Sequence, residues 1–247
     1  MARDYVSDNL SAPRLDHLFP QMIEADKSLS TWPWFRKSVD HVWRVDRRHT
    51  NIGFINRDET AILYSNARAF SGRKAIEIGA FRGWSTAHLT AAEFALLHVV
   101  EPLLEDPEWR REFQQMIDAA GGAERTVLVP ERSPEAVRRL GEAGARWSFA
   151  FIDGDHDGEA PTNDALAVEP WLEADAMVVF HDLVSPYVAA GLLTLGAQGW
   201  NIAAYQTMQM MGVAWRGAAA PAPHKPDPEQ VWDTPVHLAG VRIIGAP

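Results

Sequence analysis

The chain contains no cysteine among its 247 residues. That excludes disulfides, thiolate zinc sites and a cysteine nucleophile, and removes any redox hint of compartment. Long apolar runs are also missing, since nothing approaches the ~18 consecutive residues of a membrane span. The opening MARDYVSDNLSAPRLDHLF carries charges where a secretory leader needs an apolar stretch, so a cytoplasmic location and no membrane partner are expected. Positive charge is scarce, with 23 Lys and Arg against 33 Asp and Glu and a net charge of −10. The basic residues form no stripe that would follow a phosphate backbone, which argues against a nucleic-acid partner. Neither a Gly-x-Gly-x-x-Gly fingerprint nor a P-loop lysine is present.

What is present, from Lys74 onward, is an alternation of β-rich runs and helical stretches. KAIEIGA (74–80), LLHVVEP (96–102), TVLVPE (126–131), SFAFIDGD (148–155) and AMVVFHD (176–182) read as five strands. Between them lie helices opening near Trp84, at Asp106-Pro107, at Ser133-Pro134-Glu135 and after Asp155, with another after Asp182. Strands alternating with helices imply right-handed βαβ units, and their near-continuous apolar character implies a sheet buried on both faces. NIAAYQT and GVAWRG, joined by MQMM, read as a hairpin. The expected fold is α/β: a Rossmann-like, doubly wound, mostly parallel seven-stranded sheet with an antiparallel C-terminal hairpin. Residues 1–70 lack the alternation and are expected to form an N-terminal helical cap or arm on a domain spanning 71–247.

In such sheets ligands bind beyond the carboxyl ends of the strands, beside the first one. The loop there is EIGAFRGWS, with Glu77, Gly79 and Gly83; its glycines allow a sharp turn and close backbone approach. Glu101 ends the second strand, 22 residues after Gly79 and in position to accept hydrogen bonds from both ribose hydroxyls. Ser133 ends the third. The loop resembles that of class I S-adenosylmethionine-dependent methyltransferases, with Phe81 in place of a middle glycine. The resemblance implies cofactor contacts from Glu77, Gly79, Gly83, Glu101, Ser133 and Asp153, with Ser133 near the adenine.

The densest chemistry is FIDGDHDG (151–158), followed by VVFHD (178–182), both at that same sheet edge. Asp153, His181 and Asp182 offer a donor set for Mg²⁺ or another divalent cation. The two motifs resemble those of small-molecule methyltransferases with FIDGDH and terminal HD signatures, similar to the metal-dependent catechol and macrolide-sugar O-methyltransferases. That resemblance runs from about Gly53 to Gly217. It implies metal ligands at Asp153, His181 and Asp182, and a base at His156, three residues after the first of them. His181 stands where the relatives have a carboxylate, and Gly158 where many have tyrosine.

The expected activity is therefore methyl transfer from S-adenosylmethionine to a small-molecule hydroxyl, assisted by a divalent cation, with Asp153 and His156 catalytic. The alternatives are a metal-dependent hydrolase using Asp153, His156, His181 and Asp182, a hydroxylase-associated relative, an NAD-dependent oxidoreductase and a non-catalytic binding module. Asp182 has a competing role as cap of the helix opened by Pro186, and His156 as a polar residue at a helix entry. Asp157, Asp164 and Asp175 read as solvated carboxylates. STWPWF (30–35) and HTNIGFINRDE (49–59) are expected over the acceptor, with Gly53 and Glu59 leading toward the methionine side. The Pro/Ala-rich stretch in residues 214–232 reads as a surface loop, with a lid as the alternative. The N-terminal arm is a possible contact for a homo-oligomer.

Overall fold

The computed structural model describes residues 2–245. The chain begins with extended segments and single 3₁₀ turns. It then forms three short strands, β1 (Met22–Glu24), β2 (Arg44–Asp46) and β3 (His49–Phe54), paired antiparallel in that order. The helical content expected over residues 1–70 is concentrated in one helix, α1 (Arg57–Arg68). Prolines at 13, 20 and 33 interrupt the preceding stretch, and each forbids the helical hydrogen bond its amide would have made. The start of α1 is encoded locally by a capping box. Asn56 Oδ1 accepts from the Glu59 amide at 2.9 Å, and Glu59 Oε2 accepts from the Asn56 amide at 2.9 Å.

The alternating region follows as β4 (Lys74–Ile78), α2 (Trp84–Ala91), β5 (Leu96–Val100), α3 (Pro107–Ala119), β6 (Thr126–Val129) and α4 (Glu135–Glu142). It continues with β7 (Trp147–Ile152), α5 (Ala160–Val168), β8 (Leu172–Phe180), α6 (Pro186–Ala197), β9 (Asn201–Tyr205), β10 (Met211–Arg216) and β11 (Ile243–Ile244). The sheet order is β11-β9-β10-β8-β7-β4-β5-β6. Strands β4 to β8 are mutually parallel. β10 inserts antiparallel between β8 and β9 as the second arm of the expected hairpin. The two-residue β11 adds an eighth strand, parallel to β9.

Successive residues of the central strands face opposite layers. Phe149 and Phe151 of β7 join a core with Leu63 of α1, Leu89 of α2 and Ile117 of α3; Ala150 and Ile152 join one with Val137 of α4, Val168 of α5 and Leu192 of α6. Both faces are dry, as the apolar runs require. Helix α3 starts as its sequence signals: Asp106 Oδ1 accepts from the Glu108 and Trp109 amides at 2.8 and 3.1 Å, with Pro107 in the first turn.

The chain reverses its winding between β4 and β7, so the crevice opens at their carboxyl ends. Gly79 makes this junction possible. Its φ is +83°, and a Cβ placed there would lie 2.3 Å from the carbonyl oxygen of Asp153. Glu77, two residues earlier, is wholly buried and turned away from the crevice. It accepts from the Ser85 and Thr86 hydroxyls of α2, each at 2.5 Å. Burial pushes its carboxyl up to about 8, against the pull of those two hydroxyls.

Two outcomes follow for stability. Gly79→Ala combines left-handed strain with a backbone collision, and a loss of at least ~1–3 kcal/mol is expected in denaturant unfolding. For Glu77, the native pKa lies above the unfolded value of 4.5, so its contribution is complete below pH 4.5 and is lost as pH rises through about 8. Glu77→Gln removes that slope, and thermal melts from pH 5 to pH 9 should show the variant gaining on the parent as pH rises. Parallel curves would refute a neutral Glu77.

Candidate active site

A cavity of about 1120 Å³ opens at the carboxyl ends of the strands. Of the residues singled out in the sequence, Gly79, Glu101, Ser133, Asp153, His156, His181 and Asp182 line it. Glu77 and Gly83 do not. Glu77 holds α2 from below, and Gly83 caps that helix at φ +87°, facing Met116 and Phe113.

At one end of the cavity, Glu101 is bound to the first loop. Its Oε2 accepts from the Ala80 and Phe81 amides at 2.9 and 2.8 Å, and Oε1 from the Leu103 amide at 2.9 Å. A carboxylate offers about four acceptor sites, so about one is left, on Oε1. This geometry suits one ribose hydroxyl rather than the expected pair. Phe81 takes the left-handed conformation, φ +46°, at the position where the resembled loops have glycine. Its carbonyl oxygen accepts from Trp109 Nε1 at 2.9 Å, which offsets part of the strain. Ser133 donates to Asp164 Oδ1 at 2.5 Å. Asp164 is therefore buried at the cavity wall rather than solvated, and burial pushes its carboxyl up to about 6. Asp157 is exposed, and Asp175 pairs with Arg73 at 3.3 Å.

On the other side of the cavity, four titratable groups converge. His181 Nδ1 lies 3.0 Å from Asp182 Oδ2 and 3.3 Å from Asp153 Oδ1; His156 Nε2 lies 3.3 Å from the same two oxygens. One donor atom each from Asp153, His181 and Asp182 falls within 4.8 Å of the others. Asp182 is free for this because Ser185 caps α6 instead, accepting from the Tyr187 amide. Burial disfavours every charge in the cluster, yet mutual attraction prevails. Asp182, Asp153 and Glu59 hold His181 well above its ordinary value, and Asp182 and Asp153 raise His156. Conversely the imidazoles lower Asp153, and bring Asp182 to about 2.

A supporting frame lies behind these residues. Glu59 of α1 is completely buried, and its Oε1 accepts from the Gln209 amide at 2.8 Å. Its Oε2 stands 3.2 Å from His181 Nε2 but off the hydrogen-bonding line, so that nitrogen has no aligned partner. Gln209 in turn donates from Nε2 to Asp182 Oδ1 at 3.0 Å. Gly53 lines the cavity as expected, whereas Glu59 sits behind His181. The capping box was a sequence signal for Glu59's place on a helix; nothing local pointed to its partner, 122 positions away.

The remaining wall is aromatic. Trp32, Pro33, Phe35 and Trp43 line it with Ile52 and Phe54, and the Trp32 ring centre lies 5.5 Å from that of His156. Residues of both segments expected over the acceptor thus line the cavity. The Pro/Ala-rich stretch stays outside the cavity as a strap on the N-terminal arm. His224 pairs with Asp58 at 2.9 Å, and Asp227 with His41 and Arg3 at 2.9 and 2.8 Å.

Residues 76–183 match the family described as "Methyltransferase domain". A comparison with curated protein sequences finds no match. Among solved structures, the chain resembles the O-methyltransferase TomG from Streptomyces achromogenes, involved in tomaymycin synthesis and solved with SAM. Identity there is 18%, over 66% of this chain and 82% of that one, with a TM-score of 0.57. An O-methyltransferase from Bacillus cereus, solved with SAH, is 12% identical over 66% and 83%, with a TM-score of 0.58. A methyltransferase from Geobacter sulfurreducens is 16% identical over 68% and 83%, with a TM-score of 0.55. At these identities the likeness establishes the fold alone. Residues 76–183 thus resemble a methyltransferase domain, set in a fold shared with solved methyltransferases.

Proposed function

We propose that the protein methylates a hydroxyl of a small molecule, with a divalent cation held by Asp153, His181 and Asp182 and with His156 as the base. The observation that carries this reading is the convergence of the Asp/His cluster and the Gly79–Glu101–Ser133 edge on one cavity. Its volume exceeds the several hundred cubic ångströms typical of one ligand, which leaves room for an acceptor beside the cofactor.

The residues fit both implied groups. Gly79 leaves a cradle that a Cβ would fill, and S-adenosylmethionine, when bound, supplies an electrophilic methyl and its leaving group. Two carboxylates and the imidazole of His181, with one donor atom each within 4.8 Å of the others, suit a cation, which would lower the pKa of an acceptor hydroxyl. The protein's own part is positional. Glu101 and Ser133 orient the nucleoside, the aromatic wall excludes water, and His156 Nε2 is placed to take the hydroxyl proton. The cation-free cluster holds both imidazoles protonated longer than usual, so cation binding must displace a proton and should weaken as pH falls.

Calorimetry with S-adenosylhomocysteine tests the frame, with NAD as control. Binding of the first and none of the second is expected, and the reverse would remove the reading. Asp153→Ala should leave that affinity within a few fold while turnover of a hydroxylated acceptor falls at least ~100-fold. Glu101→Ala should instead weaken the nucleoside at least ~10-fold. Equal, mild effects from the two would contradict the division of labour. His156→Gln should lower kcat by ~10²–10⁴ with little change in nucleoside binding.

A further inference from the structure

We infer that Glu59 is a positioning residue that turns His181 into a fixed nitrogen donor, and that the resulting donor set selects a nitrogen-accepting transition-metal cation over Mg²⁺. This rests on the cation-assisted reading above and specifies the class of ion.

The argument starts from the burial of Glu59. The carboxylate has no exposed surface, and among the described residues no Lys or Arg pairs with it. Burying an ionised carboxylate is costly unless hydrogen bonds compensate. Two backbone amides do so, from Asn56 and Gln209, at 2.9 and 2.8 Å, which fixes the plane of the group. Its third neighbour is His181 Nε2 at 3.2 Å. An imidazole held to a carboxylate through one nitrogen presents the other as a lone-pair donor, and carboxylate–histidine pairs behind metal ligands act in this way. In His181 that other nitrogen is Nδ1, which already points between Asp153 and Asp182. Nε2 faces Glu59 at that distance without an aligned hydrogen bond, so the pair is set by proximity and burial.

Gln209 completes the frame. Its amide is bound to Glu59, while its side chain donates to Asp182 Oδ1, leaving Oδ2 facing the cluster. One residue of the β9–β10 turn thus orients an oxygen donor directly and a nitrogen donor through Glu59.

Mg²⁺ prefers oxygen ligands and gains most from anionic ones, whereas imidazole suits Fe²⁺, Co²⁺, Ni²⁺ and Zn²⁺. Where the resembled enzymes have a third carboxylate, His181 removes one negative charge and supplies a nitrogen. The substitution penalises the hard cation and favours the borderline ones.

The test is calorimetric titration of chelator-treated full-length protein with Co²⁺ and with Mg²⁺, together with the visible spectrum of the cobalt form. The parent should bind Co²⁺ at least ~10-fold more tightly than Mg²⁺ and show cobalt bands characteristic of nitrogen ligation. His181→Asp restores three carboxylates and should reduce the Co²⁺/Mg²⁺ ratio at least ~10-fold, with a changed spectrum. Glu59→Gln should weaken Co²⁺ by ~10–100-fold and Mg²⁺ by much less. If Glu59→Gln does not fold, the His181 variant still decides. Equal affinity for both ions in the parent, or an unchanged ratio in the variants, overturns the inference while leaving cation assistance standing. No binding of either ion would overturn both.

Discussion

The close approach of β4 and β7 at their carboxyl ends sets the geometry of everything above them. The Gly79 amide donates to the Val100 carbonyl oxygen at 3.0 Å and the Asp153 amide to that of Ile78 at 2.9 Å, so the sheet ladder continues to the last residue before each loop. Without a side chain at Gly79, the backbone of Asp153 sits against the first loop, and the cluster opens into the same space as Glu101. The Glu101 edge and the Asp/His cluster are therefore built on one rigid junction. Sites on strand ends hold their groups more precisely than sites on free loops.

Two buried glutamates show how differently the interior can treat one functional group. Glu77 has only hydroxyl donors and other carboxylates nearby, so burial prevails and the acid is favoured over the anion. Glu59 is equally buried, yet the imidazole of His181 and two amides hold its pKa below the ordinary value. The difference lies in the partners rather than in depth. A carboxylate near a cluster already holding Asp153 and Asp182 persists as an anion only because His181 lies among all three.

The sequence carried the parallel core and the positions of its strand ends, because apolar runs bounded by caps and glycines are local properties. The ends of β5, β6, β7 and β8 place Glu101, Ser133, Asp153, His181 and Asp182 at one edge from the strand pattern alone. What was not legible depends on tertiary pairing. Asp164 reads as a solvated helix residue until Ser133 is found against it. Glu59, expected to lead toward the methionine side, is instead found behind His181. The small sheet β1–β3 escaped because two of its three strands are three residues long, too short for alternation to register.

One turn ties these levels together. Arg36 follows directly on the aromatic segment that carries Trp32 and Phe35. Its amide donates to Gln209 Oε1 at 3.0 Å, Nη1 to the Thr207 carbonyl at 3.0 Å, and Nη2 to Asp233 of the strap at 2.7 Å. The same Gln209 holds Glu59 and Asp182. The aromatic cavity wall, the frame behind His181 and the C-terminal strap thus meet at residues 207–209, between the two antiparallel strands. That hairpin is the one part of the sheet that departs from parallel winding. Placed beside β8, it brings a turn to the very edge where the parallel strands end, and so lets residues from both ends of the chain bear on the cluster at the centre of the domain.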